Sequence, residues 1–394
     1  MRYHRTCMHN IVMASCIALA AFTAMPALAG DATPPALDAL VQKGLARTHA
    51  QGLAIATIDN GKVTQVKTWG LRNAKGEPLT IDTVMYGASL TKAVFAYTVM
   101  QLVDEGKLSL DTSIANYLPK PLPDYDNEAR KYAAWQHLAG DERWRKLTPR
   151  ILLTHSAGFS NFGFLEPDGK LKFHFEPGSR YAYSGDGLIL LQFVIEKGLG
   201  LDLGREMQHR VFDRFGMATT SMLWRSDFAR NLADGWTESG KTVPHDERSK
   251  TRAAGSLDTT IADFARFAAA YMRGEGLSPA SRAELTRGQL TIASASQFPS
   301  LQPEAPAHQR HPGLAAGLGV VTFSGPQGPG FQKGGHNDST GNTWLCLEAG
   351  KRCVVILSND VRAEPLFPEI VKALLGPTGM PWRWEYGDQV WARE

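Results

Sequence analysis

Ser89-Leu90-Thr91-Lys92 sets a hydroxyl and an amine three residues apart at the start of an apolar run. One helical turn brings such a pair together. A serine alkoxide is too basic to form unaided near neutral pH, so a neighbouring base must take its proton, and an amine kept neutral by burial can do so. The pair therefore reads as a nucleophile with its base. An N-cap serine beside a solvated lysine would show the same spacing. The neighbouring sequence favours burial: residues 91–105 are apolar almost all round, as in a helix enclosed by other elements, and Gly106 suits the position after its end. A lysine entering such a helix needs a chemical reason.

Acyl transfer also requires a proton shuttle to the leaving group and donors for the oxyanion. Tyr183-Ser184-Gly185-Asp186 follows the turn Glu176-Pro177-Gly178 and precedes the apolar residues 188–194. A tyrosine at such a loop-to-helix junction can reach into a cleft, or simply pack its ring and bond a carbonyl. Residues 334–341, Gly-Gly-His-Asn-Asp-Ser-Thr-Gly, read as a small-residue strand, where glycines let a ligand approach backbone. His336 within it is either a proton-transfer group or a structural histidine. His308 and His311 are spaced like metal ligands but lie in a Pro-rich stretch without a nearby carboxylate pair, so no metal site is expected. The standard Gly-rich phosphate loops are missing from the sequence, and no cofactor is expected.

Two β-like runs, 53–58 and 63–69, flank Asp59-Asn60-Gly61, a strong hairpin signal. A first helix is expected over 34–47. The far end mirrors this pattern, with strands over 318–323, 343–347 and 354–357 and a last helix over 368–375. Between them the sequence is mostly helical, over 147–153, 187–196, 203–215 and 260–272. The expected fold class is α+β: an antiparallel sheet flanked by helices and built from both chain ends, with an inserted all-α lobe. The α/β lobe would span about 30–88 and 313–394, and the helical lobe about 89–312. Residues 119–145 and 294–312, rich in Pro and polar side chains, would be long loops rimming a cleft.

With 394 residues, 43% hydrophobic and 21% charged, the chain can bury a large core. The net charge of +3 and the lack of a basic, aromatic-interleaved run give no support for nucleic-acid binding. Arg2 and Arg5, the apolar residues 11–22 and Ala27-Leu28-Ala29 read as a secretory signal peptide over 1–29; lipidation at Cys16 is a weaker alternative. Since no other segment nears the roughly 18–20 apolar residues of a span, a periplasmic or secreted protein without a transmembrane segment is expected. Export would leave Cys346 and Cys353 in an oxidising compartment. They flank Glu348-Ala349-Gly350-Lys351 between two strand-like runs, so they form either a cross-strand disulfide or two buried thiols.

In this order, the three chemical segments resemble the serine β-lactamase and penicillin-binding-protein superfamily, in the branch of class C β-lactamases, D-alanyl-D-alanine carboxypeptidases and related esterases. The likeness extends over nearly the whole mature chain, through residues 101–119, 152–158, 175–178, 253–257 and 263–267. It implies a β-lactamase/transpeptidase-like fold and an acyl-enzyme on a small-molecule or peptide ester or amide. It also assigns Ser89 as nucleophile, Lys92 as its lysine, Tyr183 as the tyrosine of Tyr-x-Asn, and His336 as the first residue of the Lys-Thr-Gly or His-x-Gly segment. The oxyanion hole would come from the N–H groups of Ser89 and Ser339, and substrate contacts from Gly185, Asn337 and Asp338. Gly185 replaces the motif's asparagine and Asp338 the third motif's glycine. At about 5 Å and an effective dielectric near 20, two like charges repel by roughly 3 kcal/mol, so an Asp338 facing the cleft would favour neutral or cationic substrates. A true β-lactamase and a non-catalytic penicillin-binding sensor are the alternatives.

Overall fold

Strands whose side chains alternate between two apolar covers form the centre of the protein. The computed structural model describes Met1 and residues 34–126 and 131–387; the expected signal peptide, with Cys16, lies otherwise outside the described residues. In chain order the helices are α1 (Pro34–Thr48), α2 (Thr91–Asp104), α3 (Pro149–Leu153), α4 (Gly185–Gly198), α5 (Leu203–Met207), α6 (Ile261–Arg273), α7 (Pro279–Thr286), α8 (Phe367–Leu375) and α9 (Trp382–Tyr386). The strands are β1 (Gly52–Asp59), β2 (Lys62–Gly70), β3 (Met85–Ala88), β4 (Gly235–Trp236), β5 (Thr242–Val243), β6 (Leu257–Thr259), β7 (Leu290–Thr291), β8 (Ala315–Ala316), β9 (Val321–Gly325), β10 (Gly328–Asn337), β11 (Thr340–Leu347) and β12 (Arg352–Ser358).

Eight strands form one antiparallel sheet in the order β2-β1-β12-β11-β10-β9-β8-β7. Its first and last segments meet where Ala54 pairs with Leu357 and Ile58 with Cys353, so both chain ends build it. Asn60 and Gly61 take φ of 49° and 69°, the left-handed pair that a two-residue hairpin turn requires. Leu53, Ile55, Leu345, Leu347, Val354 and Ile356 bury with Leu37 and Val41 of α1 and Ile370 and Val371 of α8. Their alternates Ala54, Ala56, Trp344, Val355 and Leu357 join the core of α2 and α6. This is the period of two that a pleated strand imposes.

The insert between the two halves of the sheet is mainly helical and also carries the two-stranded ladders β3–β6 and β4–β5. Two elements inside the expected 89–312 lobe belong to the sheet instead. Helix α6 packs on β1, β2 and β12, and β7 extends the sheet's edge by pairing with β8. Periodicity identifies α6 as a helix but carries no information on which neighbour its stripe will cover. The cleft rim is drawn from the two long loops as expected: residues 131–134 and His137 from one, Gln297 and Phe298 from the other.

Candidate active site

Ser89 stands between β3 and α2, half-buried at the floor of a cleft of about 1070 Å³. The residue before it, Ala88, has φ of 48°, a left-handed conformation that a non-glycine residue adopts only when its surroundings enforce it. Here the enforcement is visible. Ala88 pairs with Leu257 in the β3–β6 ladder, and its carbonyl accepts a 2.5 Å bond from the Thr91 hydroxyl. Thr91 Oγ1 in turn accepts the Leu257 N–H at 3.1 Å.

Lys92 lies in the first turn of α2, 1% exposed. Its Nζ donates to Ser89 Oγ at 2.9 Å and to the Ala254 carbonyl at 2.5 Å. Removing an ammonium from water costs more than two such bonds return, which favours the uncharged amine. Burial, and then the charge of Lys333, hold the Lys92 amine well below the ordinary lysine value.

Tyr183 closes the other side, 4% exposed, with its hydroxyl in hydrogen-bonding contact with Ser89. Burial pushes this phenol above its ordinary range, so it carries its proton near neutral pH. Its ring stacks on His155 at 4.4 Å and meets Phe298 edge-on at 5.0 Å. His155 Nδ1 accepts the Ser184 N–H at 3.1 Å, and burial keeps this imidazole well below its usual value. A neutral ring thus serves as a platform for the tyrosine. Lys92 Nζ lies 5.0 Å from the centre of the Tyr183 ring on the cleft side.

The third segment is displaced from its expected register. On β10 the amine that reaches Tyr183 belongs to Lys333, with Nζ 5.1 Å from the ring centre. His336, three residues on, leaves the opposite face of the strand, as an odd spacing requires, yet it also lines the cleft; its Nδ1 is 2.7 Å from Glu364 Oε1 and its ring lies 5.5 Å from that of Tyr386. Lys333-Gly334-Gly335 is itself a Lys-x-Gly triplet and was the overlooked signal. Its last glycine is required, because a Cβ on Gly335 would sit 2.6 Å from the Gly87 carbonyl. Asp338 consequently replaces no motif glycine: it is exposed on the β10–β11 turn and is not among the residues lining the cleft. Ser339 turns away as well. Its N–H donates to Asn337 Oδ1 at 3.0 Å and its carbonyl accepts from Trp236 N–H, so it does not serve the expected oxyanion role. Asn337 does line the cleft.

Gly185 begins α4 and contributes no lining surface. A Cβ there would collide with the ring of Phe162, and its N–H donates to Asn161 Oδ1 at 3.0 Å. Asn161 and Phe162 line the cleft beside it. At this position the cleft surface is therefore made by Asn161 and Phe162 rather than by Gly185. From the far end of the chain, Glu385 and Tyr386 of α9 also line the cleft beside Lys333; sequence reasoning offered no signal for them.

Away from the cleft, Cys346 faces Cys353 across β11 and β12 and the two are joined by a disulfide.

A family model described as Beta-lactamase matches residues 37–374. The lovastatin esterase of Penicillium rubens is 28% identical over 211 residues, 48% of this chain and 50% of its own length, so the chain spans half of that relative. Penicillin-binding protein 4 of Amycolatopsis lactamdurans is 24% identical over 354 residues, covering 83% of this chain and 86% of that protein. Among solved structures, D-alanine carboxypeptidase AmpC from Burkholderia cenocepacia superposes with a TM-score of 0.67 at 19% identity, over 86% of this chain and 97% of that one. That likeness establishes the shared fold.

Proposed function

Because the chain belongs to the Beta-lactamase family, we propose that it is a serine hydrolase that cleaves an ester or amide through an acyl-enzyme. The observation that carries this reading is the 2.9 Å contact between Lys92 Nζ and Ser89 Oγ, made by a lysine whose hold on its proton burial weakens. Ser89 Oγ attacks the carbonyl while the Lys92 amine takes its proton. Tyr183, protonated and in contact with Ser89, passes a proton to the leaving group.

The oxyanion is held by the N–H of Ser89 and, in place of Ser339, by the backbone N–H of His336. A two-residue turn links Asn337 to Thr340 as the closing pair of the β10–β11 hairpin. Such a pair exchanges both hydrogen bonds, so the next residue back, His336, turns its N–H away from β11. This stretch of β10 runs against the segment that carries Ser89, since a Cβ on Gly335 would meet the Gly87 carbonyl at 2.6 Å and the Leu90 nitrogen at 3.2 Å. Loss of one such donor typically costs about 10²- to 10³-fold in rate.

Phe162, Phe164, Leu171, Ile189 and Tyr132 are among the residues lining the cleft, together with charged groups such as Lys131, Asp246 and Arg248, and these apolar side chains can receive an apolar acyl or alcohol group, which supports an esterase reading. A signal peptide over 1–29 would place the enzyme outside the cytoplasm, and the Cys346–Cys353 bond supports this, since disulfides persist in oxidising compartments. Among the described residues no helix is long and apolar enough to cross a membrane.

The test is Ser89→Ala. It should abolish both fluorophosphonate labelling and p-nitrophenyl butyrate hydrolysis while the thermal melt stays within a few degrees of wild type. Wild-type turnover by this variant would sink the mechanism. A wild-type adduct that persists without turnover would instead indicate a sensor.

A further inference from the structure

Lys333 does not face the cleft alone. Glu385 of α9 is 1% exposed and lines the same cleft, with Oε2 accepting a 2.7 Å bond from Gln332 Nε2. The Lys333 amine is 4% exposed and donates to the Gly334 carbonyl at 2.8 Å. Between them lies the middle residue of the Lys-x-Gly triplet. A Cβ on Gly334 would collide with Glu385 Oε1 and the Tyr386 hydroxyl, so the space open to a side chain at that position is already taken by a carboxylate of the chain itself.

Resting on the serine-hydrolase reading above, we propose that Glu385 is a specificity-determining residue: it occupies the place of a substrate carboxylate beside Lys333 and restricts that end of the cleft to acyl groups without an anion. Either distribution of one proton over the two groups gives the same net charge. An ammonium with a carboxylate and an amine with a carboxylic acid both carry zero net charge, so an incoming carboxylate gains no net attraction from this pair and must displace Glu385 to take its place. Burial moves the two groups toward each other, Glu385 up to about 7 and Lys333 down to about 8.

The experiment compares p-nitrophenyl butyrate with p-nitrophenyl hemisuccinate, which have similar length and the same leaving group but differ by one terminal carboxylate. The wild-type enzyme should prefer the butyrate by at least tenfold in kcat/KM, and Glu385→Gln should shift the ratio toward the hemisuccinate by about ten- to a hundredfold. Equal wild-type rates would overturn the proposal, as would a Glu385→Gln effect that is the same on both esters. The wild-type ratio needs no variant, so the proposal remains testable if Glu385→Gln fails to fold. Fluorophosphonate labelling of Ser89 is run alongside. Labelling with the wrong ratio overturns the role of Glu385 alone, whereas no labelling and no hydrolysis of either ester removes the enzyme reading and this proposal with it.

Discussion

The Lys333 and His336 side chains leave β10 on opposite faces, one toward Tyr183 and the other toward Glu364. Side-chain alternation separates residues that look equivalent as a run of polar positions. If the cleft-facing amine takes part in catalysis and the imidazole braces the strand, Lys333→Ala should lower kcat/KM for p-nitrophenyl butyrate by about 10²-fold or more. His336→Ala should cost less than about tenfold, because the backbone N–H proposed for the oxyanion survives the change. The reverse order of losses would restore His336 as a proton-transfer group.

A neutral Lys92 has a signature in pH. An ordinary lysine loses its proton near 10.4, whereas burial and the charge of Lys333 hold Lys92 well below that. Raising the pH removes the proton and frees the amine to accept that of Ser89, so kcat/KM should climb with pH and level off well short of 10. Lys333, lowered to about 8, and Glu385, raised to about 7, titrate in the same region, so the profile must be repeated in Lys333→Ala and in Glu385→Gln; a limb that persists in both is assigned to Lys92. Stability should follow the same sign. Between the folded and unfolded values of Lys92 the unfolded chain binds more protons, so its contribution rises with pH across that window and falls as pH drops. A rate that begins to rise only near pH 10 would show that Lys92 is an ordinary ammonium and that another group is the base.

The cross-strand bond gives a third prediction. Cys346 and Cys353 are both fully buried within the core shared by the sheet and α6, and the loop they close is short. Chain entropy therefore stabilises by only about 2 to 3 kcal/mol. Replacing both cysteines by alanine should lower the urea midpoint accordingly and leave ester turnover almost unchanged. Intact mass checks the bond directly: two alkylated thiols in purified protein that has seen no reductant would refute it.

The parts of the site that were legible are those encoded locally. Ser89 and Lys92 share a helical turn whose period is visible in the sequence, and Tyr183 sits at a loop-to-helix junction marked by a Pro-Gly turn and an apolar run. The sheet from both chain ends was readable from the Asn60-Gly61 hairpin and the matching β-like runs beyond residue 318. Register was harder. Lys333-Gly334-Gly335 and His336-Asn337-Asp338 overlap within six residues, and only the pairing of β10 with β11, with Gly335 pressed against Gly87, decides between them. Glu385 was not readable at all, since it arrives from the chain end through packing of a five-residue helix with no motif of its own. The same reason hid the allegiance of α6 to the sheet.

Asp338 provides the sharpest contrast. It is an exposed residue at the tip of the β10–β11 turn and does not line the cleft. An interaction between solvent-exposed charges is typically worth no more than about 1 kcal/mol. Asp338→Gly should therefore change kcat/KM for p-nitrophenyl butyrate and for its hemisuccinate counterpart alike, and by less than about threefold, which is under 1 kcal/mol. The shift from Glu385→Gln should exceed it by an order of magnitude or more, because that carboxylate is buried and lines the same cleft as Lys333, where screening is weak. Measuring both variants on both esters under one ionic strength separates the two sources of negative charge. A selective tenfold gain for the hemisuccinate in Asp338→Gly would mean that the hairpin tip reaches the bound acyl group, and the preference against anions would then have to be divided between Asp338 and Glu385.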